Sequence, residues 1–267
     1  MYEKINDWRE ALKLPIVDNW SLKGLEEVLQ SAILRCAFKC ANDNQGYVYT
    51  ALSGGIDSSF CLTVIRRHLE QTVIRAFTIG TSLEHPDVQS ASLMMAETKT
   101  NHYVLIPTAD EIAEVEEKFI AFFPGSPKFP GDVGAFLLFD FIAKFGVKSI
   151  LVHDGLDELL GGYWEHRASS DPKDMKYAFE SFWSLLEAEH LEPLERIANH
   201  FGIKLLFPYL QKDAAEYISR IPLSERTSCE ESKIPLRRIA AKYLPPEIIS
   251  RPKLGFHDAL KVFQKSP

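Results

Sequence analysis

Cysteine is scarce in this sequence. Cys36, Cys40, Cys61 and Cys229 are the only four in 267 residues, too few and too scattered for a disulfide scaffold. A reducing cytoplasm is therefore the expected compartment. No apolar run approaches the ~18 residues that a membrane span requires, and the opening stretch MYEKINDWRE lacks the apolar core of a secretory leader. Basic charge is also short: 30 lysines and arginines face 37 acids, a formal net charge of −7. That balance, with no Lys/Arg-rich run, weighs against a nucleic-acid-coating role, which needs a basic face. A small basic pocket stays compatible with it. Two common nucleotide motifs are missing as well. Neither G-x-x-x-x-G-K-[ST] nor G-x-G-x-x-G occurs, which excludes a Walker-type phosphate loop and a dinucleotide fingerprint.

What is present is a globular composition, 46% hydrophobic and 25% charged, enough to bury a proper core at this length. There is no internal repeat and no low-complexity segment. Residues 1–20 suggest a short helix and a connector broken at Pro15. Residues 21–41 carry the stripe Leu22, Leu25, Leu29, Ile33, Cys36, Cys40 and predict an amphipathic helix, with both cysteines packed as small hydrophobes. Strand-like runs then follow at GYVYTAL (46–52), 72–79, 102–107 and 147–153. Helical patterns lie between them at 58–69, 86–99, 109–123 and 133–145, with a Gly/Pro-rich loop, PGSPKFPGD, at 124–132. Strands alternating with helices of this length predict an α/β fold with a doubly wound parallel sheet. From about residue 172 helices dominate (174–190, 191–201, 211–220, 232–243), and no linker separates them from the sheet. The expectation is one domain over 1–267: an N-terminal helical segment 1–45, an α/β core 46–170 and a helical portion 171–267.

The first chemical signal is YTALSGGIDSSF, residues 49–60. An apolar strand ends in Ser53-Gly54-Gly55-Ile56-Asp57-Ser58 and leads straight into a helix. Ligands of open parallel sheets bind beyond the carboxyl ends of the strands. Glycines let backbone N–H groups approach an oxyanion, the helix N-terminus adds about half a positive charge, and serine hydroxyls add donors. This pattern suits a phosphate cradle without a lysine. Asp57 would repel a bare phosphate, which is reasonable if Mg²⁺ lies between them. A plain strand–helix turn capped by Asp or Ser is the alternative.

The second signal is HDGLDELLGGY, residues 153–163, with Asp154, Asp157 and Glu158 after another buried strand. Acids so placed suit Mg²⁺ binding or general-base work, or, more simply, the opening of a helix.

SGGIDSS resembles the pyrophosphate-binding PP-loop, SGGxDS, of the ATP pyrophosphatases. The 153–163 segment is similar to the SGEGxDExxGGY stretch of asparagine synthetase and β-lactam synthetase. Asp154 stands where that family has glutamate, and Val152 and His153 replace small residues. FPYLQKDAAEYISRIP (207–222) resembles the family's R-x-P-F-L-D-x-x-x-x-E element, with Tyr209 and Gln211 for phenylalanine and aspartate. SKIPLRRIAAKYLPPEIISRPKLGF (232–256) resembles its K-x-x-L-R…R-x-K-x-G-F ending.

The resemblance implies a PP-loop fold, of the adenine nucleotide α-hydrolase type, and an ATP-dependent amide ligase that forms AMP and pyrophosphate. By the same resemblance, Ser53, Gly54, Gly55, Asp57 and Ser58 hold pyrophosphate, and Asp57 and Asp157 hold Mg²⁺. The backbone near Leu52 and Ile79 faces adenine, and Gly155 lies in the nucleotide site. Lys253 neutralises charge on the α-phosphate, with Lys233 as a second basic position. Asp154 acts as general base or orients the nucleophile, and His153 crowds the nucleotide or contacts substrate. Lys128, in the 124–132 loop, is a candidate contact for a substrate carboxylate. Residue 2 is Tyr2, not the cysteine nucleophile of the glutamine-using enzymes, so the expectation is that no glutaminase is encoded. Nitrogen would then come from ammonia, another amine or a separate glutaminase subunit. Two alternatives stay open: a PP-loop tRNA-modifying enzyme, and a nucleotide-binding module without ligase activity.

Overall fold

The computed structural model describes residues 14–16, 19–122, 131–252, 254 and 259–260. The expected N-terminal helix lies almost wholly outside this set, and so do Lys128 and Lys253.

Five parallel strands form one sheet in the order β3-β2-β1-β4-β5. They are β1 (Val48–Ala51), β2 (Ile74–Ile79), β3 (Asn101–Leu105), β4 (Ser149–Leu151) and β5 (Lys204–Leu206). In register, Thr50 faces Ala76 on one side and Leu151 on the other. The chain winds outward from β1 through β2 to β3, then returns to β4 and β5 on the other side of β1. The order therefore reverses between β1 and β4. Ligand crevices of open α/β sheets form at such a reversal, beyond the strands' carboxyl ends.

Helices flank the sheet. α1 (Leu22–Asp43) buries Leu25, Leu29, Ile33, Cys36 and Cys40, the stripe read from the sequence, and Ser21 caps it by accepting from Gly24 N–H at 3.0 Å. Burial pushes the Cys36 thiol up to about 12 and Cys40 up to about 11, so both remain neutral core groups. α2 (Ile56–His68), α3 (Pro86–Thr98), α4 (Ala109–Phe122) and α5 (Asp132–Ala143) connect the first four strands. Among the described residues, no helix is long and apolar enough to cross a membrane.

The C-terminal half departs from expectation at a fifth strand and in the helix predicted over 174–190; short helices at Leu223–Arg226 and Pro246–Ser250 are also additional to those predicted. β5 falls where no strand is predicted and pairs Ile150 with Leu205 and Leu151 with Leu206. Three residues at a sheet edge are too few to print a period-2 pattern. The predicted helix 174–190 is an α-helix only as α7 (Pro172–Leu185); a π-helical turn, Leu186–Leu191, joins it to α8 (Glu192–His200).

One buried amide fixes β4 against α1. Asn44 Nδ2 donates to Cys40 O at 2.7 Å and to Ser149 O at 2.9 Å, while its Oδ1 accepts from Lys148 N–H at 2.8 Å. Asn44→Ala strands several buried backbone groups, so it is expected to cost about 2–3 kcal/mol in urea denaturation. An unchanged midpoint would refute the role given to this side chain.

Candidate active site

β1 leaves the sheet at Leu52, whose N–H donates to Phe77 O (2.8 Å) and whose carbonyl accepts from Thr78 Oγ1 (2.5 Å). The next residues form a tight loop. Gly54 has φ +67°, and a Cβ there would lie 2.4 Å from Ala91 N and 2.5 Å from Ser90 C. Only glycine lets the loop press so closely on α3. Gly55 N–H donates to Ser53 Oγ (3.3 Å), and Ser58 Oγ donates to Gly55 O (3.2 Å). α2 then begins at Ile56 with Asp57 in its first turn and no side-chain cap. The N–H groups of that turn have no partner within the helix and bear its positive dipole end.

The tip of β4 supplies the facing wall. After His153 and Asp154, Gly155 turns the chain at φ +94°, where a Cβ would lie 2.2 Å from Leu210 Cδ2. α6 (Leu156–Leu160) follows with Asp157 in its first turn. Between the two walls stands Lys233, at the start of α11 (Ile234–Ala240). Its Nζ lies 2.5 Å from Asp57 Oδ2 and 2.6 Å from Asp157 Oδ1. Burial alone would favour the neutral amine, but the two carboxylates outweigh it and hold the ammonium charged. Gly162 makes room: a Cβ there would lie 1.7 Å from Asp157 Oδ1.

Arg251, near the C-terminus, straps the loop and itself lines the cavity. Arg251 Nη1 donates to Ser53 O at 2.9 Å, and Nη2 pairs with Asp87 Oδ1 of α3. It is the arginine of R-P-K, to which sequence reasoning gave no role. Sequence reasoning also missed His190, on the π turn, whose Nε2 lies 2.7 Å from Asp154 Oδ1. Burial raises the Asp154 carboxyl, but the hydrogen bond to His190 and the attraction of that ring's protonated form, with His153 beside it, bring it below the usual range. Burial drives His153 down to about 4, against a small opposing effect of Asp154, so its ring is neutral near pH 7.

These groups share one cavity of about 410 Å³, a size typical of small-molecule sites. Ser53, Gly55, Asp57 and Ser58 line one side, with Leu52 and Ile79 at the strand ends. Asp154, Gly155, Asp157 and Lys233 line the other. Gly54 instead packs beneath against α3. Lys253 lies outside the described residues.

The donor set can be tested for magnesium. Asp57 and Asp157 meet at one point, and two carboxylates completed by phosphate oxygens and water are an ordinary Mg²⁺ set. Among the described residues there is no group of three or more His, Cys, Asp or Glu able to hold a metal alone. The residues thus fit the ion as a site completed by a nucleotide.

The low value of His153 has a sign that can be checked. Between about 6.5 and 4 the unfolded chain takes up a proton at His153 that the folded chain refuses, so stability falls as pH drops through that window. His153→Gln is expected to flatten the loss in urea midpoints between pH 7 and pH 4.5. An identical slope in the variant would count against the burial assigned to the ring.

Comparisons with known proteins show the family. The family model "Asparagine synthase" matches residues 31–191 and 171–265. Asparagine synthetase [glutamine-hydrolyzing] from Gallus gallus is 26% identical over 226 residues, covering 80% of this chain and 40% of that protein. Asparagine synthetase [glutamine-hydrolyzing] 1 from Arabidopsis thaliana is 27% identical over 235 residues, covering 78% and 39%. The chain thus spans about 40% of the length of these curated relatives. A solved NMN synthetase from Francisella tularensis is a distant likeness, with TM-score 0.38 and 16% identity over 69% of this chain and 97% of that one. With the family pattern running through both walls of the cavity and on to the C-terminal strap, the chain belongs to the asparagine synthase family.

Proposed function

We propose that this protein is an ATP-dependent carbon–nitrogen ligase that activates a carboxylate as an acyl-adenylate and transfers ammonia or an amine to it. One observation carries the reading: Asp57 and Asp157, from the tips of two different strands, converge on one ammonium beside a helix N-terminus built to receive phosphate.

The substrate carboxylate attacks the α-phosphorus of ATP. A new O–P bond forms, and pyrophosphate leaves with the electron pair of the bond to the β-phosphate. Ser53, Ser58 and the N–H groups opening α2 bind the departing diphosphate. Asp57 and Asp157 would hold magnesium, which would supply charge neutralisation there. Lys233, at the same end of the cavity, offers its ammonium to the same phosphates. The family pattern aims Lys253 at the α-phosphate, where one preorganised cation is worth about 3 kcal/mol of transition-state stabilisation. Adenine rests against the strand ends at Leu52 and Ile79, with Gly155 opposite. Asp154 orients the nitrogen-transfer half of the site. The nitrogen source is free ammonia, a small amine or a separate glutaminase subunit, and the reaction runs in the cytoplasm.

Incubation with [α-³²P]ATP, Mg²⁺ and a panel of amino acids, with and without ammonium, tests the reading. AMP is expected only where a carboxylate and a nitrogen donor are both present. AMP that requires tRNA, or none under any condition, would sink it. Asp57→Ala is expected to lower AMP formation on the order of 10²–10³-fold, the range for loss of one electrostatic group in an active site, and full turnover in that variant would reject the metal and phosphate assignment.

A further inference from the structure

We infer that His190 is the proton acceptor for the nitrogen-transfer half-reaction, with Asp154 as the residue that positions it. The inference rests on the ligase reading above and assigns a group within that site.

The geometry begins with the π turn. α7 ends at Leu185, and Leu186–Leu191 closes i→i+5 hydrogen bonds before α8 resumes the ordinary pitch. Such wide turns are rare and recur at functional sites, because the extra residue re-aims a side chain. Here the turn carries His190, whose ring lines the cavity that also contains Asp57, Ser58 and Lys233. The His190–Asp154 pair is partly shielded, with side-chain exposures of 31% and 24%. A substrate can therefore reach it.

The chemistry follows from the pairing. Asp154, ionised at neutral pH, is a weak proton acceptor by itself, yet a good partner for an imidazole N–H. With Nε2–H donated to Asp154 Oδ1, the basic nitrogen of the neutral ring is Nδ1. When Nδ1 takes a proton, the carboxylate 2.7 Å from Nε2 steadies the imidazolium.

The other titratable groups of the cavity fit this task poorly. His153 is held down to about 4 and sits 3.4 Å from Thr50 Oγ1, too weak a base near pH 7. Asp57 and Asp157 face the Lys233 ammonium, which is already protonated. Glu158 accepts from the Tyr163 hydroxyl at 2.7 Å.

In the step itself, the amine nitrogen attacks the acyl carbon, an N–C bond forms, and the carbonyl π electrons move to oxygen. The nitrogen, now positively charged, gives one proton to His190. The carbonyl re-forms, the C–O bond to AMP breaks with its electron pair leaving on AMP, and the imidazolium returns its proton to solvent.

The test separates the two half-reactions. Adenylation is read by carboxylate-dependent exchange of [³²P]pyrophosphate into ATP, using the amino acid that gives the strongest exchange with the wild type. Nitrogen transfer is read by amide formation from ammonium. For His190→Gln, exchange is expected within about threefold of wild type, while amide formation falls on the order of 10²–10³-fold, the usual range for loss of a general base. Asp154→Asn, nearly isosteric, is expected to follow the same split. Added imidazole is expected to restore part of the amide formation of His190→Ala, an effect that a purely structural role would not produce. Equal losses in exchange and amide formation, or no loss in either, would overturn the assignment. If the wild type exchanges pyrophosphate with no carboxylate, the ligase reading itself fails and takes this role with it.

Discussion

The ammonium of Lys233, set between Asp57 and Asp157, holds the site together. Three charges in a largely buried place carry a heavy desolvation penalty, and only mutual pairing at short range offsets it. Without the lysine, two carboxylates would face each other across the crevice in a low-dielectric setting, and one would have to protonate or turn away. The pairing also joins segments far apart in sequence: the first turns of α2 and α6 and the start of α11. The chain accepts local strain to achieve it. Lys233 itself sits at φ +53°, a left-handed conformation that costs a non-glycine residue about 1–2 kcal/mol. Gly162 gives up a side chain so that Asp157 can stand where it does.

The same triad bears on the divalent ion proposed for this site. As it stands, one ammonium serves two carboxylates, leaving a net negative charge in the cavity. A triphosphate adds several more negative charges, and the dipole of α2 returns only about half a unit. A divalent ion held by Asp57 and Asp157, as proposed above, would restore the balance. Arg251, which also lines the cavity, adds a second cation paired with its own carboxylate, Asp87. By gripping Ser53 O and Asp87 together it fixes the loop against α3, so the helix opening keeps its aim.

Much of this could be read from the chain. Alternating strands and helices gave the parallel sheet, and the α1 stripe predicted which face would be buried, both cysteines included. The two acidic, glycine-bearing segments were legible because each follows a strand, and parallel strands bring their tips to one edge. What escaped has physical reasons. β5 is three residues at an edge, held by pairing to β4 rather than by its own periodicity. Gly54 reads as a phosphate contact, but its positive φ answers to the α3 backbone, a tertiary neighbour that local sequence does not reveal. Lys233, read as a secondary basic position, bridges both aspartates, because the distance from residue 57 to 233 is closed only by packing.

His190 is the sharpest case of a residue without a sequence signal. It falls inside what reads as continuous helix, and nothing in its neighbours announces a π turn. The departure at Asp154 supplies the missing half of the argument. The family resemblance places glutamate at that position, and aspartate carries its carboxylate one methylene less far from the β4 tip. A shorter acid leaves room in front of it, and here that room holds an imidazole at hydrogen-bonding distance. The widened turn that brings the ring in and the shortened acid that receives it are complementary changes on opposite walls of one cavity. Together they form a hydrogen-bonded pair on the wall of the cavity, and the ring is the member that can take up a proton.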